Sequence, residues 1–246
     1  MRLITWNFAR RSPETWQAGV MLERIRDEAP DIVVLTDAHE TSLALLGGHV
    51  LTDTGIRWAR NETENERKVV LWSKQPWREV THYPTLSALG AAVSGVTQTP
   101  MGDVRVLALC TPPHFAWPEG MEPRPLFWEQ HIAYLEALEA VLETIPSGPP
   151  LIIAGSFNQP IPLAWGSWTA HHRLMATLSN VHILTRGDIA PIDAQTLDHI
   201  AAVSSLRAGA IHSLSNLDSE GKELADHFGV VADLEPGGPG GVAIFD

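Results

Sequence analysis

The chain predicts an α/β fold in which β-sheets pack on one another under a cover of helices. Three observations predict it. The apolar stretches are short and mostly strand-length, and only two segments carry strong helical periodicity. The 246 residues, 44% hydrophobic, are enough for one sizeable core. A mean hydropathy of −0.02 and 19% charged residues argue against a disordered chain. No apolar run approaches the ~20 residues of a membrane-spanning helix. Residues 1–7 are too short and polar for a signal peptide. The single cysteine, Cys110, leaves no intramolecular disulfide, so a reducing, cytoplasmic setting is expected.

Taken in order, Leu3-Ile4-Thr5-Trp6 is β-rich and ends at Asn7. Ser12-Pro13 resembles a helix start, and Ala18, Met21, Leu22 and Ile25 follow at i, i+3, i+4, i+7 as one buried face. Pro30 stops that helix before the apolar strand Asp31–Leu35. Residues 61–68 are charged and unpatterned, a solvated loop, and Val69–Trp72 resumes as strand. A further strand runs through Val104, Val106 and Ala108 to Cys110, then a proline-rich loop over 112–125. The second helix carries Trp128, Ile132, Leu135, Leu138 and Leu142. Leu151–Ala154 is another buried strand, with late strands over 197–203 and 228–233. The expected division is one domain over 1–234 and a Gly/Pro-rich tail over 235–246.

Seventeen Lys+Arg against 29 Asp+Glu give a net charge of −12, and only four of the basic residues follow position 125. A protein that grips duplex nucleic acid non-specifically carries a basic footprint, so such a partner is not expected. There is no Gly-rich phosphate loop between strand and helix, no Cys-x-x-Cys pair and no His-Glu-x-x-His helix.

The strand ends are more informative, because function concentrates where strands give way to loops. Asn7, Asp37, Ser156-Phe157-Asn158, Asp198-His199 and Asp226-His227 all sit at such ends. Gathered together they would form a pocket of carboxylates, carboxamides and a histidine, a set that suits a hard oxygen-seeking cation. His199 should face away from Asp198 on a strand, and so pack. Among the nine tryptophans, Trp6, Trp72 and Trp128 read as core, while Trp117, Trp165 and Trp168 lie in loop-like segments that suit either a satellite core under long loops or a ligand groove.

The order of these motifs resembles the endonuclease/exonuclease/phosphatase superfamily. Its Thr-Trp-Asn opening is similar to Thr5-Trp6-Asn7, and its Pro-Asp-Ile-x-x-Leu-Gln-Glu block to Pro30-Asp31-Ile32-Val33-Val34-Leu35-Thr36-Asp37. Its Gly-Asp-Phe-Asn block resembles Gly155-Ser156-Phe157-Asn158, its Ile-Asp-His-Ile block Leu197-Asp198-His199-Ile200, and its terminal block Ala225-Asp226-His227-Phe228-Gly229-Val230. The resemblance implies a four-layer sandwich: two packed, mixed β-sheets flanked by helices. It implies metal-dependent phosphoester hydrolysis of phosphodiesterase or phosphatase type, with Mg²⁺ or Mn²⁺ near Asn7, Asp37 and Asp226. His227, Asp198, Asn158 and Ser156 would be the catalytic set. Arg10-Arg11, just beyond Asn7, is the best local basic element for an anionic substrate, and His114 is expected to bind substrate with it. The ligand would be a small phosphoester or another anion.

The resemblance departs at chemical positions. Ser156 stands where the family has an aspartate that activates water, and losing a general base costs roughly 10²–10⁴ in rate. Asp37 stands for a glutamate and is shorter by one bond, roughly 1.5 Å. Cys110 stands where many members have a histidine. A base moved to His39, Glu40 or His114 is one outcome of these changes. A catalytically inactive ligand-binding or interaction module is the other.

Overall fold

A computed structural model describes residues 1–53, 63–118 and 120–237. In chain order its strands are β1 (Arg2–Asn7), β2 (Ile32–His39), β3 (His49–Thr52), β4 (Glu66–Ser73), β5 (Arg78–His82), β6 (Ala91–Thr99) and β7 (Gly102–Cys110). Then come β8 (Leu151–Ser156), β9 (His182–Ile183), β10 (Asp188–Ile189), β11 (Ala194–Gln195), β12 (Asp198–Ala202), β13 (Leu206–Leu214) and β14 (Gly229–Pro236). The helices are α1 (Trp16–Asp27), the single turn α2 (Pro84–Ser87), α3 (Glu129–Thr144) and α4 (Trp168–Thr177).

Two six-stranded sheets result, ordered β13-β14-β1-β2-β4-β3 and β5-β6-β7-β8-β12-β9. Each is mixed: β1 pairs with β2 and β7 with β8 in parallel, and their other pairs are antiparallel. Parallel neighbours need a crossover, and the two longest helices supply it, α1 between β1 and β2 and α3 between β7 and β8.

Alternation along the strands builds the layers. Leu3, Ile32, Val34 and Leu71 of the first sheet meet Val93, Val106, Ile152 and Ile200 of the second in one core between the sheets. The opposite faces are covered separately: Ile4, Trp6, Val33 and Leu35 by Met21, Leu22 and Ile25 of α1, and Leu107, Leu109 and Ile153 by Tyr134, Leu135, Leu138 and Leu174. The layers are helix, sheet, sheet, helix, as expected.

Several elements differ from the sequence expectation. Helix α1 begins at Trp16, because the Thr15 hydroxyl accepts from the Ala18 amide and caps it; Ser12-Pro13 forms a preceding turn. Trp128 precedes α3 with a left-handed φ of 70° and is only half-buried. The stretch expected as a charged loop ends sooner, since Glu66, Arg67 and Lys68 already belong to β4. Strands β3, β5, β6, β9, β10, β11 and β13 and helices α2 and α4 are additions. Strand β14 continues to Pro236, two residues past the expected domain boundary, and most of the expected tail lies outside the described residues.

Candidate active site

Direction and register bring the site together. Strands β1, β2, β7 and β8 end at one edge of the sandwich, where the antiparallel strands β4, β12 and β14 begin. Inward-facing positions at that edge are therefore Asn7 after Leu3 and Thr5, Thr36 after Ile32 and Val34, and Ser156 after Ile152 and Ala154. Asp198 is the register partner of Ser156 on β12. Asp37 breaks the alternation of β2 with a left-handed φ of 45°, a conformation unusual for a residue with a Cβ, and so joins the cavity wall.

The cavity measures about 730 Å³ and is lined by Asn7, Arg10, Asp37, Lys68, Asn158 and His227, with Asp226 at its open side. Its rim is aromatic: Phe115, Trp117 and Trp165 all contribute. His114 also faces it, embedded among rings, 4.9 Å from Phe115 and 5.5 Å from Trp128 between centroids.

Asp198 and His227 form the electrostatic centre. The fully buried Asp198 accepts from His227 Nδ1 at 2.7 Å and from the Ser156 hydroxyl at 2.5 Å. Burial works against charge on His227, but the attraction and hydrogen bond of Asp198, with Asp226 and Asp37 adding to it, outweigh burial and raise its pKa to about 9. At neutral pH His227 is an imidazolium with Nδ1 held by Asp198, leaving the Nε2–H as a charged donor toward the cavity. Trp6 fixes its backbone, donating from the indole to the His227 carbonyl at 2.9 Å. Gly229 allows that approach, since a Cβ there would lie 2.7 Å from the Trp6 ring.

Ser156 does not reach the cavity. Its side chain is fully buried, with Oγ 2.5 Å from Thr36 Oγ1 and 3.4 Å from Asn7 Nδ2. It joins the two sheets from behind the wall. The preceding glycine permits this: Gly155 has φ 132°, and a Cβ there would lie 2.0 Å from the Leu109 carbonyl oxygen of the paired strand. Gly155→Ala is expected to lower stability by about 2–5 kcal/mol, the sum of backbone strain and overpacking. Urea unfolding checks it; a midpoint equal to wild type would contradict this account.

Asn158, also at a left-handed φ of 55°, lines the cavity while its Nδ2 donates to the Thr111 carbonyl at 2.6 Å. Beneath it runs a network the sequence did not reveal. Gln159 donates from Nε2 to His131 Nε2 at 2.7 Å, and its backbone carbonyl accepts from His199 Nε2 at 3.0 Å. His131 Nδ1 in turn donates to the Pro112 carbonyl at 2.7 Å, and the Thr185 hydroxyl donates to His199 Nδ1 at 3.0 Å. Burial first, against weaker opposing hydrogen bonds, lowers both histidines to a pKa of about 4. His199 faces away from Asp198 and packs against Phe157, as expected.

The remaining expected residues divide. Arg10 lines the cavity and pairs with Glu66 at 2.7 Å. Arg11 is not among the residues lining the cavity, and its Nε donates to the Leu224 carbonyl at 3.0 Å. Trp117 and Trp165 join the wall, whereas Trp168 lies on α4 outside that lining. Glu40 is committed to Arg67 at 2.6 Å.

The donor set does not fit a divalent ion on Asn7, Asp37 and Asp226. Asn7 turns its carbonyl oxygen to the Ala9 amide at 2.8 Å and its Nδ2 to Asp37 at 3.1 Å, so it offers that carboxylate a donor and not a ligand. The other Asp37 oxygen accepts from Lys68 Nζ at 2.6 Å. Mg²⁺ bound to that oxygen at about 2.1 Å would sit no more than about 4.7 Å from the ammonium. Among the described residues no group of three His, Cys, Asp or Glu side chains is arranged to hold a metal. Lys68 is the residue that the sequence reading missed, because it closes a run of charges that hides the start of β4.

Comparison with known proteins agrees with this architecture. A family model described as the Endonuclease/Exonuclease/phosphatase family matches residues 4–227. No curated protein matches the chain. Among solved structures, an endonuclease/exonuclease/phosphatase from Beutenbergia cavernae is 19% identical with a TM-score of 0.66, over 97% of this chain and 72% of its own. The human Nocturnin catalytic domain with bound sulfate is 17% identical, TM-score 0.67, over 96% and 93% of the two chains. D. rerio TDP2, complexed with a single-strand DNA product, is 11% identical, TM-score 0.66, over 96% and 98%. Such similarity establishes the shared fold.

Proposed function

Because the chain belongs to the endonuclease/exonuclease/phosphatase family, we propose that it binds a small phosphoester in this cavity and hydrolyses it. The observation that carries this reading is His227 on the cavity wall, held from behind by the buried Asp198, with Asn158 on the same wall. A charged imidazolium and a carboxamide present donors where a phosphoryl group would gather negative charge during displacement by water. The sulfate in Nocturnin and the DNA product in TDP2 support a tetrahedral oxyanion as the kind of ligand the fold accepts. The net charge of −12 argues for a small ester over non-specific duplex nucleic acid.

Family members generally use divalent metals. A dependence on Mg²⁺ or Mn²⁺ would draw on Asn7, Asp37 and Asp226 and would supply charge neutralisation at the phosphoryl oxygens. Since their donors do not fit such an ion as arranged, the residue roles here stand without it: His227 donates, Asp198 orients and charges it, and Asn158 positions. One free cysteine, Cys110, suits a cytoplasmic setting.

A second reading, ligand binding without turnover, is favoured by Ser156. Its hydroxyl is buried and bonded where a base would be expected, so no base acts from that position. Hydrolysis of an activated phosphodiester, measured for wild type, His227→Ala and Ser156→Asp, separates the two. Turnover by wild type at least about 10²-fold above His227→Ala supports the hydrolase. Equal rates for those two, with a gain in Ser156→Asp, would leave the binding module.

A further inference from the structure

We infer that Lys68 is the resident cation of this site: its ammonium, seated on Asp37, meets an anionic phosphoryl oxygen directly, so that anion capture needs no divalent metal. This deepens the phosphoester reading and rests on it.

Three observations carry the inference. First, Lys68 lines the cavity together with Arg10, Asn158 and His227, so the wall presents cationic and amide donors from several elements. Second, Lys68 is locked in place. Its side chain is only 12% exposed and its ammonium lies 2.6 Å from Asp37 Oδ1, while Asn7 Nδ2 holds Asp37 Oδ2 at 3.1 Å. Third, the backbone is bent to make the pair. The register of β2 with β4 joins Thr36 to Val69 and Ala38 to Arg67, which leaves Asp37, at φ 45°, opposite Lys68. A left-handed aspartate in a strand is costly, and here it delivers the carboxylate to the lysine.

The chemistry follows from that seating. An ammonium has three donors, so one can serve Asp37 while another serves a ligand oxygen. A carboxylate already committed to an ammonium and an amide is a weak ligand for a metal, because a divalent ion would have to displace the lysine or endure its charge at close range. A lysine delivers a point charge without the strict octahedral geometry that Mg²⁺ imposes. No covalent step is involved: the ammonium binds the oxygen electrostatically.

The test uses the whole chain, stripped with a chelator, and two probes read separately. In the first arm, Mn²⁺ is titrated and free ion is followed by electron paramagnetic resonance. Wild type is expected to take up no stoichiometric Mn²⁺ at concentrations up to about 100 µM, a range that resolves micromolar sites. Uptake of one Mn²⁺ that Asp37→Asn abolishes would overturn the inference while leaving the phosphoester reading intact. In the second arm, inorganic phosphate is titrated calorimetrically in EDTA. Wild type should bind equally with EDTA and with Mg²⁺. Lys68→Met should weaken binding by about tenfold or more, as loss of a charge-assisted hydrogen bond implies, while Lys68→Arg stays within about threefold. Phosphate binding by Lys68→Met at wild-type strength, or binding by wild type only when Mg²⁺ is added, would overturn the inference. No phosphate binding under either condition would overturn the phosphoester reading, and the inference with it. The Mn²⁺ arm needs only wild type for its expected result, so it stands even if Lys68→Met does not fold.

Discussion

Asp198→Asn is expected to abolish turnover of an activated phosphodiester, by about 10²–10⁴-fold, while leaving the chain folded. The substitution is nearly isosteric, and the new carboxamide oxygen can still accept from the Ser156 hydroxyl, which lies 2.5 Å from Asp198 Oδ1. What changes is the other oxygen, which accepts from His227 Nδ1 at 2.7 Å. An amide NH₂ in that place is a donor, so Nδ1 must become an acceptor and the imidazole must take its other neutral tautomer. The charge also goes. His227 has a pKa of about 9 because Asp198 outweighs burial, and that elevation corresponds to about 3 kcal/mol in favour of the imidazolium. With Asp198 neutral, burial acts with less opposition and the His227 pKa should fall below 6.5, its ordinary value. Imidazole proton shifts followed across pH 5–10 measure this directly. An imidazole still titrating near 9 in Asp198→Asn would show that Asp198 is not the source of the charge.

The second large effect is on stability in mild acid. His131 and His199 are buried and titrate at about 4 in the folded chain, against about 6.5 when unfolded. Between those values the unfolded state binds more protons, so stability is fully present above pH 6.5 and is lost as pH falls toward 4. Each histidine contributes an upper bound of about 3 kcal/mol to that loss, and the two share Gln159, so their contributions are not independent. His227 has the opposite sign. Its folded pKa of about 9 lies above the unfolded value, so its contribution is complete below 6.5 and is lost as pH rises through 9. Stability should therefore peak near pH 6.5 and decline on both sides. Urea midpoints measured from pH 5.5 to 9.5 give the test, in a range where ordinary carboxylates stay ionised. His227→Ala should flatten the alkaline limb and spare the acid one. A midpoint unchanged from 6.5 down to 5.5 would mean that the buried histidines are not neutral donors and acceptors as their hydrogen bonds imply.

The fold was readable in the chain wherever burial imposed a strict period. Ile32 to Leu35 and Leu151 to Ala154 are apolar on both faces, because each sheet packs on its partner on one side and on helices on the other. Strand β13 escaped because Leu206–Leu214 contains Ala, Gly and His and is buried only at its two ends, so no period is written in it. Helix α4 left a faint signal, with Ser167 capping it and Ala170, Leu174 and Thr177 as its buried side, obscured by a polar His171-His172-Arg173 run.

In the site, Asn7, Asn158, Asp198 and His227 could be named because they end or precede apolar strands. Three things were not legible. The left-handed turn of Asp37 carries no sequence mark beyond the aspartate itself. The depth of Ser156 depends on how the two sheets meet, which no local pattern encodes. The partnership of Lys68 with Asp37 depends on a cross-strand register, and a charged run beside Lys68 conceals the strand that sets it.

The hydroxyl of Ser156 touches Thr36 and Asn7 on one sheet and Asp198 on the other. It is thus a rivet through the sandwich at the point where the two halves hold the pocket between them. A carboxylate there would face the Asp198 carboxylate on the neighbouring strand of the same sheet and repel it, disturbing the bonded cluster that joins that sheet to Thr36 and Asn7 of the other, unless a cation lay between them. Cohesion and chemistry compete for one side chain, and this chain has settled the competition for cohesion. Any route that places an acid at position 156 must therefore also strengthen the seam, and the place to do so is the apolar layer between the sheets, well away from the pocket.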